Sequence, residues 1–417
     1  MTIEELHESG RAAQKAAAFL ATLSSEEKNA ILLSLKELLL AKADKLIGEN
    51  KKDLAGAEEA GLSGAMKERL TLTKARIASM AEGVAALTAL PDPTGLTLEE
   101  RTLPNGLRIV KKSVSFGVVA MIYESRPNVT IDAAALCLKS GNASILRGGK
   151  EAHYTNAALT DVIHEALALY RVPAEAVTSI LDPDRALVDT LLTMRGEIDL
   201  VIPRGGAGLI RFVVEHSTVP VIETGSGVCH TYIDKDADMD KAIAIAVNAK
   251  VQRPSVCNAM ETLLVHRDRA EECARRLFPV LKEKGVEIRG DELFLSLDPS
   301  IKEAAPSDWS TEYNDLILSV RAVSSLEDAL AHIARYGTHH SECIVSENKK
   351  AIDTFMASVD AAAVYANAST RFTDGFEFGF GAEIGISTQK LHVRGPMGLP
   401  ALTTYKYEIF GNGQIRQ

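Results

Sequence analysis

The chain has 417 residues, of which 46% are hydrophobic and 24% are charged, a composition typical of a globular protein of about two or three domains. Its formal net charge of −10 at pH 7 argues against nucleic-acid binding, because proteins neutralise phosphate backbones with clustered lysine and arginine. Apolar runs shorter than the roughly 20 residues that span a bilayer, and an acidic N-terminus unlike a secretion signal, predict a cytoplasmic protein without a membrane partner.

The first 90 residues predict helices that act as scaffold. Ser24 followed by Glu27 has the spacing of a capping box, which marks a helix start. The apolar residues that follow share one helical face, as the 3.6-residue period requires: Ile31, Leu32, Leu35, Leu38 and Leu39.

Two strands are predicted next, over residues 96–103 and 107–113. They flank Asn105-Gly106, a pair that tolerates positive φ and therefore favours a tight hairpin. Residues 402–410, near the C-terminus, are rich in Thr and Tyr and predict a further strand.

From Phe116 onward the pattern changes to short apolar strands that alternate with helices, which indicates a parallel sheet covered on both faces. The predicted strands are residues 117–123, 143–147, 176–181, 199–203 and 219–224, and one of the intervening helices is 152–170. A second α/β segment, with a strand at 262–265, runs from about residue 240 to 365. The sequence thus predicts a doubly wound nucleotide-binding layout followed by a separate α/β domain.

Three glycine clusters follow predicted strands of the first sheet, although a G-x-G-x-x-G fingerprint is absent. They are Arg147-Gly148-Gly149, Arg204-Gly205-Gly206 and Gly225-Ser226-Gly227. Glycine lets a backbone approach phosphate closely, and open α/β sheets bind ligands at the carboxyl ends of their strands. One such cluster is more often a plain turn, but three in one sheet favour a nucleotide site.

Five cysteines, an odd number without C-x-x-C spacing, indicate neither a disulfide framework nor a zinc site. Cys257 lies in a polar turn just before the strand at 262–265, where a thiol can act as a nucleophile. A cysteine is more often a small buried hydrophobic residue. Both interpretations, nucleophile and buried hydrophobic residue, also stay open for Cys229. The neighbours His339-His340 lack partners at ligand spacing, so no metal is expected.

Several segments together resemble the aldehyde dehydrogenase superfamily, most closely its glutamate-5-semialdehyde dehydrogenase branch. The resemblance spans nearly the whole chain and implies an α/β fold with a doubly wound cofactor domain, an α/β catalytic domain and a small β oligomerisation element. The segments that carry it are Ser-Arg-Pro-Asn-Val-Thr (125–130), Leu-Lys-Ser-Gly-Asn-Ala (138–143), Leu-Arg-Gly-Gly (146–149), Pro-Arg-Gly-Gly (203–206), Glu-Thr-Gly-Ser-Gly-Val-Cys-His (223–230) and Arg-Pro-Ser-Val-Cys-Asn (253–258).

The resemblance implies three catalytic residues. Cys257 is the nucleophile, and Asn128, with the Cys257 backbone N–H, stabilises negative charge on the acyl oxygen, although a Pro-Asn turn would also explain Asn128. Glu223 matches the general base that hydrolyses the thioester in many aldehyde dehydrogenases. If phosphate resolves the thioester, Glu223 has no water to activate, and it then orients the cofactor or a loop.

The resemblance also implies the cofactor site. Arg147, Gly148 and Lys150 stand near the expected adenosine ribose, where a guanidinium suits the 2′-phosphate of NADP, so NADP is favoured over NAD. Surface charge is the alternative explanation of these cations. The remaining expected contacts are those of the pyrophosphate and of the nicotinamide ribose: Arg204, Gly205, Gly206, Gly225 and Glu383.

By resemblance, the enzyme reduces L-glutamate 5-phosphate with NADPH through a Cys257 thioester, which is the second step of proline biosynthesis from glutamate. The expected partners are a small-molecule substrate, further copies of the chain and, for channelling, glutamate 5-kinase. Two alternatives stay open, namely an acylating enzyme that uses coenzyme A and a catalytically silent scaffold. The expected domains are 1–101 with 115–239 for NADP, 240–366 for catalysis, 102–114 with 396–417 for oligomerisation, and 367–395 returning to the cofactor domain.

Overall fold

The computed structural model describes residues 1–124 and 126–416, without the side chain of Ala65. Ser125, which opens one segment of the family resemblance, lies outside the described residues. The α-helices are α1 (Ile3–Leu20), α2 (Ser25–Ala41), α3 (Ala43–Glu59), α4 (Gly64–Leu70), α5 (Lys74–Thr88), α6 (Pro127–Lys139), α7 (His153–Leu169), α8 (Arg185–Leu191), α9 (Ala207–His216), α10 (Met239–Val251), α11 (Ala270–Glu283), α12 (Glu292–Leu297), α13 (Leu326–Tyr336) and α14 (Lys349–Ser358).

The strands alternate with these helices after α5. They are β1 (Thr97–Thr102), β2 (Arg108–Ser115), β3 (Val118–Tyr123), β4 (Ala143–Arg147), β5 (Val177–Ser179), β6 (Leu200–Arg204), β7 (Cys229–Ile233), β8 (Met260–His266), β9 (Glu287–Gly290), β10 (Lys302–Glu303), β11 (Ile317–Val323), β12 (Ser341–Val345), β13 (Ala363–Ala366), β14 (Ile386–Ser387), β15 (Gly395–Pro396) and β16 (Thr403–Phe410).

The chain divides into two compact units. The first comprises Met1–Thr224, Gly379–Gly385 and Met397–Gln417, and the second comprises Gly225–Phe378 and Ile386–Pro396. In the described parts of the chain, no helix combines the length and the apolar character that a membrane span needs.

The N-terminal helices of the first unit form as predicted. The Ser24 side chain accepts from the Glu27 amide and the Glu27 carboxylate accepts from the Ser24 amide, which completes the capping box at the start of α2. Of the five apolar residues on its predicted face, Leu38 is half-buried and four are buried: Ile31, Leu32, Leu35 and Leu39.

The sheet of the first unit is parallel, with strand order β5-β4-β3-β6. All six residues of the inner strand β3 are buried, as expected for a sheet covered on both faces. The strand predicted at 219–224 is wrong, because that segment contributes isolated bridge residues at Val221, which pairs with Val201, and at Thr224, but no continuous ladder. Pro220 explains the difference, since it has no N–H to extend the ladder.

A small antiparallel sheet, ordered β1-β2-β16, completes the first unit. The hairpin predicted over 96–103 and 107–113 and the tail strand predicted over 402–410 are confirmed, each within about two residues. Gly106 in the connecting turn has φ +87°, a conformation that glycine adopts without strain. All six residues of β1 are exposed.

The second unit is built on a seven-stranded parallel sheet with order β10-β9-β11-β8-β7-β12-β13. The domain boundary predicted at residue 240 is wrong, because β7 pairs with both β8 and β12 inside this sheet. The predicted return of 367–395 to the cofactor domain holds only for Gly379–Gly385, since the flanking parts belong to the second unit. The second unit therefore begins at Gly225, one residue after the Glu-Thr pair of the family motif.

Candidate active site

The carboxyl ends of the central strands in the first unit bring two arginines to one sheet edge. Arg147 ends β4 and Arg204 ends β6, and β3 between them places Ile122 beside Arg147 and Tyr123 beside Arg204. Parallel α/β sheets bind ligands at this edge. The predicted Arg147 and Arg204 clusters therefore share one edge of the sheet.

Arg147 is the residue of this edge best suited to bind an anion. Its guanidinium is half-buried, and its Nη1 donates to the carbonyl of Gly148. Its buried Nε has no hydrogen-bond partner among the described residues. Burial lowers the pKa of Arg147, while Asp182 and Glu151 raise it. A buried guanidinium N–H without an acceptor is costly, so a ligand oxygen at this position would be stabilising.

Gly148 and Lys150 flank Arg147 in different ways. A Cβ on Gly148 would lie 2.2 Å from Nδ2 of Asn156 and 3.1 Å from the ring of Tyr123, so packing alone already requires glycine there. Lys150 begins the 3-10 turn Lys150–Ala152 and is exposed. Its ammonium is therefore open to solvent.

Two helix N-termini near these strands are already occupied by carboxylates. Asp53 of α3 accepts from the Tyr154 and Thr155 amides in the first turn of α7, at 3.1 and 2.7 Å. Glu124 accepts from the amide of Gly206, the residue before α9, at 2.9 Å. A helix N-terminus filled by a carboxylate offers fewer amides to a pyrophosphate. This arrangement agrees with the absence of a G-x-G-x-x-G fingerprint.

The turn at Gly205 packs closely against the same carboxylate. A Cβ on Gly205 would lie 2.7 Å from the Glu124 carboxyl carbon and 2.8 Å from Cδ2 of Leu209. Gly205 and Gly206 therefore fit around Glu124, and a pyrophosphate could use the Gly206 amide only if Glu124 moved.

Asn128 lies in the first turn of α6 and is exposed. Pro127 occupies the position before it, where a missing N–H costs nothing. Nδ2 of Asn128 donates to Oδ2 of Asp132 at 2.9 Å, which leaves the second amide hydrogen for another acceptor. Burial raises the pKa of Asp132 to about 6, whereas Asn128 and Arg204 act to lower it.

The two predicted glutamates belong to the first unit and are half-buried. Glu223 precedes Thr224, whose hydroxyl donates to the carbonyl of Pro203 at 3.0 Å. Glu383 precedes Ile384, whose amide donates to the carbonyl of Met397 at 3.0 Å. Hydrogen bonds of the adjacent residue thus fix the backbone beside each carboxylate.

Cys257 lies in the second unit, between α10 and β8, and is half-buried. A Cβ on Gly227 would fall 1.5 Å from the Cys257 carbonyl oxygen and 3.0 Å from its Cα. Only glycine lets the two backbones approach this closely. The glycine loop 225–227 therefore supports the Cys257 backbone, and Gly225 itself packs against Thr388.

Asn258, the residue after Cys257, ties the loop to the segment around Thr370. Its Nδ2 donates to the Thr373 carbonyl at 2.8 Å, and its carbonyl accepts from the Thr370 hydroxyl at 2.7 Å. Asn258 is only 3% exposed. The nucleophile candidate thus stands on a backbone that is held from both sides.

The other cysteines are poor candidates for the nucleophile because all four are buried. Burial raises the pKa of Cys137, Cys273 and Cys343 to about 12 and that of Cys229 well above its usual value. Since thiolate is the reactive form, Cys257 is the one cysteine here with access to solvent.

Of the adjacent histidines, His340 lies in the interior and His339 lies at the surface. His340 is fully buried, and burial lowers its pKa to about 4, while Nδ1 of His339 lies 2.6 Å from the carbonyl of Asp360. Among residues 1–124 and 126–416, no group of three or more His, Cys, Asp or Glu side chains is arranged to hold a metal ion.

Three features of the site were missed by the sequence reasoning. Asp132 could have been found, because it stands four residues after Asn128 on one helix face. The contacts of Gly227 with Cys257 and of Asn258 with Thr373 join distant parts of the chain. No local sequence pattern marks them.

Comparisons with known proteins agree with this architecture. The model of the aldehyde dehydrogenase family matches residues 1–294. The gamma-glutamyl phosphate reductase of Moorella thermoacetica is 55% identical over 413 residues, which cover 99% of each chain. A crystal structure of gamma-glutamyl phosphate reductase from Thermotoga maritima has a TM-score of 0.97 and 43% identity and covers 100% of both chains. An acetylating aldehyde dehydrogenase from Geobacillus thermoglucosidasius, with a TM-score of 0.70 and 18% identity, shares the fold.

Proposed function

Because the chain belongs to the aldehyde dehydrogenase family, we propose that it acts as a gamma-glutamyl phosphate reductase, also called glutamate-5-semialdehyde dehydrogenase. It reduces L-glutamate 5-phosphate to L-glutamate 5-semialdehyde and phosphate, a step of proline biosynthesis. The observation that carries the proposal is the position of Cys257, a half-buried thiol on a loop whose backbone is fixed by Gly227. Similarity to reductases of this name over the full chain supports the choice of substrate.

In the proposed mechanism, the Cys257 thiolate attacks the acyl carbon of the substrate. The bond from that carbon to the phosphate oxygen breaks, phosphate leaves with the electron pair, and a thioester remains on Cys257. A reduced nicotinamide cofactor, when bound, would supply the hydride that reduces this thioester. Collapse of the resulting thiohemiacetal breaks the carbon–sulfur bond, which releases the aldehyde and restores the thiolate.

Asn128 serves as the proposed donor to the acyl oxygen, and Asp132 holds its amide in place through the 2.9 Å hydrogen bond. One such donor is commonly worth about 3 kcal/mol of transition-state stabilisation. Glu223 is proposed as a positioning residue rather than a base, because phosphate takes the place of the water that a hydrolytic enzyme must activate.

The family implies a nicotinamide cofactor, and we propose NADPH. The buried Nε of Arg147 without a partner and the exposed ammonium of Lys150 fit a 2′-phosphate, which a guanidinium binds well. Arg204, Gly205, Gly206, Gly225 and Glu383 stay proposed contacts of the cofactor. We also propose a cytoplasmic enzyme that forms homo-oligomers and channels its substrate from glutamate 5-kinase.

One assay in the oxidative direction tests the proposal. Purified protein is mixed with glutamate 5-semialdehyde and either NADP⁺ or NAD⁺, with phosphate, coenzyme A or neither as acyl acceptor. We expect turnover that requires phosphate, runs better with NADP⁺ and is lost in Cys257→Ser.

The alternatives predict other results in the same assay. Turnover that requires coenzyme A and ignores phosphate would identify an acylating aldehyde dehydrogenase. A protein that neither turns over nor binds NADPH in a fluorescence titration would be a scaffold. Undiminished activity in Cys257→Ser would exclude the thioester.

A further inference from the structure

Two arginines of the second unit lie beside the Cys257 loop. Arg253 is in the loop itself, four residues before Cys257, and is exposed. Arg371 lies in the 3-10 turn Thr370–Phe372 and is half-buried. The two cations thus come from different segments of the chain, and Arg371 interacts electrostatically with both Arg253 and Cys257.

Hydrogen bonds fix Arg371 against the loop. Its Nε donates to Oε1 of Gln252 at 2.9 Å, and its carbonyl accepts from Nδ2 of Asn258 at 3.4 Å. Gln252 and Asn258 bracket the loop that carries Cys257, so the Arg371 side chain is tied to one end of that loop and the Arg371 backbone to the other. This use of Nε leaves the two terminal nitrogens, with four N–H groups, for another acceptor.

Neither arginine forms an ion pair with a carboxylate within 4.0 Å among the described residues. Asp374 is the nearby acid, but its Oδ1 accepts from the amides of Phe376 and Glu377 at 2.8 and 3.4 Å. Burial lowers the pKa of Arg371, Arg253 lowers it further, and Asp374 and Cys257 raise it. Two guanidinium groups that repel each other without an ion-pair partner are stabilised when an anion enters between them.

We propose that Arg253 and Arg371 form an anion subsite that binds the phosphate group of the acyl phosphate substrate. The inference rests on the proposed function and adds the residues that recognise its leaving group. Planar guanidinium groups bind phosphate oxygens through paired N–H donors, more specifically than an ammonium does.

The substrate carries two anionic groups, the phosphate and the α-carboxylate. Its chemistry favours the phosphate as the group that the two arginines bind. The phosphate oxygen is bonded to the carbon that Cys257 attacks, so the phosphate must lie next to the sulfur. The α-carboxylate lies at the opposite end of the glutamyl chain. A pair of cations beside Cys257 therefore fits the phosphate.

The subsite acts in both directions of the reaction. In reduction, it stabilises the negative charge that grows on the phosphate as its bond to the acyl carbon breaks. In oxidation, it holds inorganic phosphate so that a phosphate oxygen attacks the thioester carbonyl, the carbon–sulfur bond breaks, and Cys257 leaves as thiolate.

Steady-state kinetics in the oxidative direction test the subsite. Arg253→Gln and Arg371→Gln should each raise the KM for phosphate about tenfold to a hundredfold, as expected for loss of a charge-assisted hydrogen bond. The KM for glutamate 5-semialdehyde should change little. Arg275→Gln, which removes an exposed arginine from α11, is the matched control and should leave both constants unchanged.

The other outcomes overturn the inference. If the KM for the aldehyde rises instead, the arginines bind the α-carboxylate; if neither constant moves, they bind no part of the substrate. A wild-type protein that shows no phosphate-dependent turnover would refute the proposed function itself. An active wild type with unaltered variants would refute only the subsite.

A second measurement needs no turnover. The rates at which iodoacetate and iodoacetamide alkylate Cys257 are compared, because only the first reagent is an anion. Phosphate should slow both reactions in the wild type, and the ratio of the iodoacetate rate to the iodoacetamide rate should fall about tenfold in Arg371→Gln. An unchanged ratio, in a variant whose circular dichroism matches the wild type, would contradict a cationic subsite at Cys257.

Discussion

Gly227 shows at the scale of single residues how the fold constrains the chemistry. Its missing side chain leaves room for the Cys257 carbonyl, and the Glu312 carboxylate accepts from its amide at 2.9 Å. The sequence reasoning took the glycine loop for a nucleotide contact, because glycine after a strand is typical of phosphate sites. The contact with Cys257 joins positions 30 residues apart, so no short-range pattern could reveal it.

Gly227→Ala should displace the Cys257 loop, because the new Cβ would overlap a backbone carbonyl that cannot rotate away. A displacement of about 1 Å can cost roughly a hundredfold in rate, so we expect kcat to fall by about that factor. Gly48→Ala is the control, since Gly48 is an exposed position of α3 and a Cβ there meets nothing within 4 Å. Equal activity of the two variants would show that the close approach does not position Cys257.

Asp132 links a half-buried carboxyl group to the proposed acyl-oxygen donor. Burial raises its pKa from 3.8 to about 6, so the folded protein holds this proton more tightly than the unfolded chain. The group's favourable contribution to the free energy of unfolding is therefore complete below pH about 4 and is lost as the pH rises through about 6.

Asp132→Asn, which cannot ionise, should be more stable than the wild type by about 3 kcal/mol at pH 8 and no more stable at pH 4. Its amide oxygen still accepts from Asn128, so kcat should be retained, whereas Asp132→Ala should lower kcat about tenfold. Denaturant unfolding at both pH values, with the exposed Asp161→Asn as control, measures the difference. An Asn variant that gains nothing at pH 8 would contradict the raised pKa of Asp132.

At the scale of elements, periodicity predicted most helices and strands, because burial on both sheet faces gives continuous apolar runs such as β3. The exception at 219–224 came from Pro220, which allows isolated bridges but not a ladder. The predicted domain boundary at residue 240 was wrong for another reason. A strand's partners are set by tertiary pairing, and β7 joins β8 and β12.

The tail strand β16 carries an exposed apolar face, which we propose as a subunit contact. Tyr405, Tyr407 and Ile409 alternate along the strand, as residues on one face do, and are 50%, 51% and 61% exposed. Light scattering should give a mass of at least two 44.8 kDa chains, and Ile409→Lys should reduce it. Lys406→Gln, on the opposite face, should not. A monomeric wild type would contradict the proposal.

At the scale of the whole molecule, the sequence could identify the α/β class and the candidate residues, whereas their arrangement required coordinates. The local sequence shows Cys257 only as a thiol in a polar turn. Its assignment as the nucleophile came from the family resemblance. Burial of the other four cysteines and the backbone of Gly227 now support it. The Arg253 and Arg371 pair could not be predicted, because Arg371 stands 114 positions from Cys257 in an unremarkable segment.

The most direct test of the account is the covalent intermediate itself. The protein is mixed with L-glutamate 5-phosphate in the absence of a nicotinamide cofactor, quenched in acid and examined by peptide mass spectrometry. We predict a glutamyl thioester on the peptide that contains Cys257, sensitive to hydroxylamine and absent from Cys257→Ser. A glutamyl group on another residue, or full turnover by Cys257→Ser without any adduct, would contradict the account.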